Sequence, residues 1–334
     1  MKNVNAPAGA LNQPKKRSGI LQWLGRYSGQ LVFLGLLMIV LSIISPVFLT
    51  KTNLINVLRQ ISTNLYMGCG MTMILITGGI DLSTGAVMAV SGMVATYMSL
   101  AGIPFFFCAL GGLSSGLLVG TLSGTIISHT TLPPFIVTYT IQSICRGLVY
   151  VITGAATIRV TSEAFLMFGS GFLGIIPLPV VYLFIVIAAT ALILNRSKLG
   201  RHMYAVGGNE KAAQYAGINI KRTRMFIYMA SGILSALAGL VLTSRNTSMQ
   251  PTLGTGMEMD AIAAVVLGGT SMGGGNGAVG GTVIGALIIG FINNGLNLIG
   301  LDSFYQYIAK GGVILVAVYI DYLKSRAIMQ GKKS

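Results

Sequence analysis

The residue types that carry covalent chemistry are scarce in this chain and poorly placed for it. His129 and His202 stand alone, with neither an H-E-x-x-H spacing nor a nucleophile, base and acid set around them. Cys69, Cys108 and Cys145 each lie inside an apolar run, which reads as three buried thiols and not as a disulfide framework or a zinc site. No G-x-x-x-x-G-K-S/T phosphate loop occurs. Gly169-Ser-Gly-Phe-Leu-Gly174 fits G-x-G-x-x-G on paper. No strand precedes it and no acid follows about 20 residues on, so it fails as a dinucleotide site. The expectation is a chain without catalytic residues, cofactor or metal.

What remains is the chemistry of binding. Ser62, Thr63 and Asn64 stand together in one apolar stretch, and Asn293, Asn294 and Asn297 in another. A polar side chain in lipid needs a partner, so these are expected to face the interior of a bundle. With Asp81, the residues Ser62, Asn64, Asn293, Asn294 and Asn297 form the candidate translocation path. Amides and hydroxyls suit a neutral, polyhydroxylated solute better than an ion. Asp81 reads as the sole carboxylate within the apolar segments, where a charge is costly and points to function. Capping of the next helix by Asp81 or Ser83 competes with that role. Arg59, Arg146 and Lys310 lie near span ends, where long side chains snorkel to the surface.

These residues need elements to position them, and the composition says which. Of 334 residues 53% are hydrophobic and 9% charged, too few charges to cover a soluble particle of this length. A crossing helix needs about 20 apolar residues. Charge-free stretches 27–50 and 60–80 give two spans. The stretch 82–145 gives three, broken at Gly102-Ile-Pro104 and Leu132-Pro-Pro134. One more falls within 164–195, centred on 178–194, and another at 225–244. Two fall in 261–301, parted by Gly273-Gly-Gly-Asn-Gly277, and one at 303–320. The expected fold is all-α, a polytopic membrane bundle of about ten transmembrane helices. Five basic residues precede the first span, seven lie between spans 6 and 7, and four follow the last, together sixteen of the 22 Lys and Arg. All three regions fall on one side, which is the cytoplasm by the positive-inside rule. Both termini are then cytoplasmic, with tails 1–28 and 323–334 flanking a membrane domain 29–322 and its cytoplasmic loop 196–224. Bases spaced between apolar runs do not indicate nucleic acid. Gly112, Gly116, Gly120 and Gly124, and later Gly277, Gly281 and Gly285, form small-residue stripes for close helix packing. Gly78-Gly79 with Gly85 resembles Gly268-Gly269 with Gly275 at an offset of 190, an internal likeness of the kind that marks translocation sites.

Ile76-Thr-Gly-Gly-Ile-Asp-Leu-Ser83 resembles the hallmark of permease subunits in bacterial ABC importers for monosaccharides, the ribose-type family. Gly207-Gly-Asn-Glu-Lys-Ala-Ala213 through Gly217-Ile-Asn219, Asp260 to Thr270, and Gly290 to Asn297 agree in order and spacing. The likeness runs from about residue 30 to 322. It implies a membrane subunit that moves a monosaccharide into the cytoplasm, set in the bacterial inner membrane among lipid. Its implied partners are a second permease chain, identical or not, separate ATP-binding cassette subunits that hydrolyse ATP, and a periplasmic or lipid-anchored sugar-binding protein. The motifs leave the sugar open. In the loop, Asn209 is a good N-cap, Glu210 suits the positive end of a helix, and Gly217 is a natural C′ residue. The helix of about two turns between them, with Ala212, Ala213 and Ala216 as a small-residue face, is similar to the element that such permeases insert into their ATPase. An autonomous secondary transporter or channel for a small polar solute is the competing reading.

Overall fold

The computed structural model of the chain describes residues 25 and 27–300, together with seven helical positions between 305 and 319. The tail 323–334, nearly all of 1–28 including its five basic residues, Lys310 and most of the expected span 303–320 lie outside the described residues. The architecture is helical: α1 Ser28–Ile44, α2 Lys51–Ile76, α3 Thr84–Leu100, α4 Phe105–His129 and α5 Pro134–Thr153 follow one another through short connections. A short helix α6, Glu163–Ser170, precedes α7, Leu178–Arg196. Then come α8 Lys198–Gly208, α9 Glu210–Tyr215, α10 Ile220–Arg245, α11 Met257–Leu267 and α12 Val279–Leu298. Sheet among the described residues is limited to two-residue pairs: β1 Ile158–Arg159 with β4 Ser248–Met249, and β2 Phe172–Leu173 with β3 Ile176–Pro177. Among the described residues, α4, α5, α7, α10 and α12 are long and apolar enough to cross a membrane. The outer faces of α4, α5 and α7 carry exposed Phe107, Leu118, Ile144, Phe184 and Ile185, as lipid-facing surface requires.

Local chemistry sets the breaks. Thr50 Oγ1 accepts from the Asn53 N–H at 3.4 Å and starts α2. At its other end Gly78 takes φ +77°, and the Gly79 N–H closes back on the Ile74 carbonyl at 3.1 Å. Gly269 at φ +85° ends α11 in the same way, with the Thr270 N–H on the Val265 carbonyl at 3.2 Å. Both are left-handed caps that a side chain would strain. The structural equivalence pairs Gly78 with Gly269, one residue off the offset read from sequence. Cys69, Cys108 and Cys145 are buried free thiols. The glycine stripe of α4 lies on α10: a Cβ at Gly116 would run into the Gly232 carbonyl, and one at Gly120 into the Tyr228 carbonyl.

Two expectations need correction. The stretch 261–301 does not hold two full spans, because α11 has 11 residues and rises only about 16 Å, half of what a crossing needs. It begins after a non-helical segment, 246–256, in which Pro251, Gly254 at φ +76° and Gly256 at φ +81° prevent a helix. Nor does Arg146 snorkel. Its Nη1 donates to the Pro251 and Leu253 carbonyls at 2.7 and 2.8 Å, so it holds that non-helical segment in place. Arg59 also turns onto protein, donating to the Ser170 carbonyl at 2.7 Å with the Phe172 ring beneath its guanidinium.

Candidate functional site

Helices α2, α10 and α11 enclose a cavity of about 360 Å³ lined by Gln60, Thr63, Asn64, Leu242, Arg245, Met257 and Asp260. Each helix contributes residues three or four apart, which share one helical face. Gln60 and Arg245 are partly exposed at the rim, whereas Thr63, Asn64 and Asp260 are buried at the floor. Asp260 sits in the first turn of α11, where the positive end of the helix favours a carboxylate. Asn293 of α12 backs it, donating Nδ2 to Asp260 Oδ2 at 3.3 Å. Asn64 is 3% exposed and its Oδ1 has no hydrogen-bond partner. The lining therefore offers amide, hydroxyl, carboxylate and guanidinium groups around a space large enough for a small solute.

The residues expected to line a path are divided by the structure. Asn64 reaches the cavity and Asn293 stands directly behind it. Ser62 hydrogen-bonds back to the Leu58 carbonyl at 2.7 Å, within its own helix. Asn294 exchanges two bonds with Asn53, at 3.1 and 2.8 Å, and so ties α12 to α2. Asn297 is exposed near the end of α12. Asp81 lies in the break between α2 and α3. Its Oδ1 accepts from the Ser83 N–H at 2.9 Å and the Ser83 hydroxyl at 2.6 Å, and its Oδ2 from Ser231 at 3.0 Å. Ser231 is eleven residues from Leu242 on α10, roughly 16 Å along the axis, so Asp81 is well away from the cavity.

Asp81 is also not the sole carboxylate in the membrane domain, because Glu258 and Asp260 are buried as well. Glu258 accepts from Gln142 and from the Gly256 N–H, both at 3.3 Å. Two acids in Met257-Glu-Met-Asp260 were the available signal. Counting a span from 261 placed them in a loop, and only the broken helix buries them within the bundle. Arg245, at the end of α10, was hidden for the same reason.

The second candidate element is the α8–α9 pair. Asn209 Oδ1 accepts from the Ala212 N–H at 3.0 Å, Glu210 pairs with Arg224 at 2.6 Å, and Gly217 takes φ +80°. Ala213 does not belong to an exposed face: it is 4% exposed and packs inward. A six-residue helix lying on a neighbour must bury one side, and Ala213 is on that side. Ala212, Ala216 and Tyr215, the last 90% exposed, face outward. Helix α8, which the sequence did not announce, seats this pair on the bundle. A Cβ at Gly207 would collide with the Ile76 carbonyl, and Tyr204 donates to the Gly277 carbonyl at 2.9 Å. The Gly275 N–H in turn donates to the Ile76 carbonyl at 2.8 Å. The loop element thus rests on both glycine breaks at once.

The family described as "Branched-chain amino acid transport system / permease component" matches residues 53–318. The ribose import permease protein of Bacillus subtilis is 44% identical over 309 residues, 92% of this chain and 95% of that protein. The ribose import permease protein of Escherichia coli K12 is 42% identical, over 88% of this chain and 93% of its own length. The D-allose transport system permease protein of the same organism is 38% identical, with 89% and 92% covered. No solved structure matches the chain. Helical architecture, apolar outer faces and these likenesses over nearly the whole length lead to one conclusion: the chain belongs to this permease family, among its ribose-type ABC permeases.

Proposed function

We propose that the protein is the membrane-spanning subunit of an ATP-driven importer that moves a monosaccharide, ribose or a similar sugar, into the cytoplasm. The observation that carries this is the 44% identity to a ribose import permease along 92% of the chain. ATP hydrolysis then belongs to separate cassette subunits, and sugar arrives from a binding protein outside the bacterial cell membrane. About ten crossings, one of them made by the non-helical segment 246–256 together with the half-helix α11, put both termini and residues 196–224 in the cytoplasm, in keeping with the distribution of basic residues. A second permease chain completes the membrane domain. The α8–α9 pair docks the ATPase through Ala212, Ala216 and Tyr215, while Asn209, Glu210 and Gly217 shape the helix and Ala213 supports it from beneath. Of the amides and hydroxyls, Asn64 and Asn293 belong to the path. Asp81 and Asn294 hold helices together, Ser62 bonds within its own helix, and Asn297 lies exposed near the end of α12.

Buried Asp260 and Glu258 favour a second reading, a carrier coupled to an ion gradient. Uptake into vesicles reconstituted with the ATPase and the binding protein separates the two. Uptake should require ATP and persist when the proton gradient is collapsed. Uptake lost with the gradient while ATP remains would establish the carrier instead.

A further inference from the structure

We propose that the cavity between α2, α10 and α11 is a binding site for one neutral, polyhydroxylated ring of monosaccharide size, occupied between delivery and release. The assignment rests on the sugar-import reading. Ligand pockets run from about 300 to 1,000 Å³, so a cavity of about 360 Å³ takes a single ring and not a disaccharide.

Its charges favour a neutral ligand. Arg245 and Asp260 line the same space and leave the lining without net charge. A guanidinium only donates and a carboxylate only accepts, whereas a sugar hydroxyl does both. A ring with several hydroxyls can donate toward one end of the lining and accept from the other. An anion would face Asp260 and a cation Arg245, and each such juxtaposition disfavours the wrong solute.

Asn64 points independently to a ligand. Buried polar atoms nearly always have a partner, yet Asn64 Oδ1 has none at 3% exposure. It is an acceptor without a donor on the wall of a polar cavity, which a ligand hydroxyl supplies. Thr63 uses its hydroxyl proton on the Arg59 carbonyl, at 3.3 Å, and so meets a ligand as an acceptor. Asn293 is a positioning residue, holding Asp260 from behind.

The site is also closed on one side. Two turns beyond Asn64, Met71 and Leu75 pack with Ile262, Val265 and Val266 of α11 into an apolar cluster. The floor is therefore sealed toward the end where Gly78 and Gly269 lie, while Gln60 and Arg245 at the rim remain partly exposed.

The test compares uptake by the reconstituted importer across D-ribose and its 2-, 3- and 5-deoxy analogues, with wild type, Asn64→Leu and Thr63→Val. The binding protein is common to all, so the ratio of variant to wild-type rate isolates what the permease reads. Asn64→Leu is expected to slow ribose by about tenfold and to spare the one analogue that lacks the hydroxyl bonded to Asn64. The ratio must differ between analogues. An equal ratio for every analogue would overturn the site, because a merely structural defect slows all sugars alike. Should Asn64→Leu fail to reach the membrane, Thr63→Val carries the same comparison with the same two outcomes. A wild-type importer that moves none of the sugars would instead overturn the sugar-import reading itself.

Discussion

Asn53 and Asn294 are 241 positions apart and satisfy each other's amides at 3.1 and 2.8 Å, with Asn53 also donating to the Phe48 carbonyl at 2.8 Å. Removing one partner leaves the other buried without its bond, which costs about 1–3 kcal/mol, whereas removing both exchanges a polar contact for an apolar one. Asn294→Leu is therefore expected to lower the melting temperature of the purified permease. Asn53→Leu combined with Asn294→Leu is expected to cost less than the sum of the single variants. Strict additivity in that cycle would refute the pairing. Sequence announced that amides in lipid need partners but not which partners they find. Asn293 and Asn294 are adjacent in the chain and on different faces of α12, so one backs Asp260 while the other ties two helices together. Helical periodicity separates them only once the neighbouring helices are in place.

Helices α9 and α11 show how an element inherits its role from what it lies on. Ala213 is under α9, so Ala213→Arg would force a cation into a packed contact and is expected to unfold the loop and deplete the permease. Ala216→Arg changes an outward position. The expected result is normal insertion with loss of ATPase co-purification, and normal co-purification would remove α9 from the docking surface. Asn209→Ala, by deleting the N-cap bond, should destabilise the short helix by about 1 kcal/mol. Helix α11 depends on the segment ahead of it, which Arg146 holds by two carbonyls. Arg146→Met removes both bonds. Amide hydrogen exchange over 250–257 should then rise while α5 itself keeps its protection, and unchanged exchange would show that the segment needs no clamp. The breaks at Gly102-Ile-Pro104 and Leu132-Pro-Pro134 were legible because proline and glycine act on their own backbone. The start of α11 was not legible. Pro251, Gly254 and Gly256 mark a stretch that cannot be helical, but a half-helix entered through turns reads in sequence like a full span preceded by a loop.

At the scale of the molecule the basic residues from Arg196 to Arg224 gather at one end, beside the breaks after Ile76 and Leu267, while β1 and β4 pair at the other, next to Arg245. A cysteine placed at Lys198 should resist a membrane-impermeant thiol reagent added outside intact cells, and one at Thr161 should react. The native thiols are buried and contribute little background. Labelling in the opposite sense would invert the topology. The sequence by itself determined the solvent, the helical class, most helix boundaries and the permease family, because apolar length, proline, glycine and charge distribution act locally or sum along the chain. Only the tertiary structure decided where the polar site lies. The cavity takes its walls from residues 60–64, 242–245 and 257–260, three segments far apart in the chain. The depth of Asp260 follows from a helix that starts inside the bundle. Burial is a property of what surrounds a residue, and for Asn64, Arg245 and Asp260 the surroundings come from other parts of the chain.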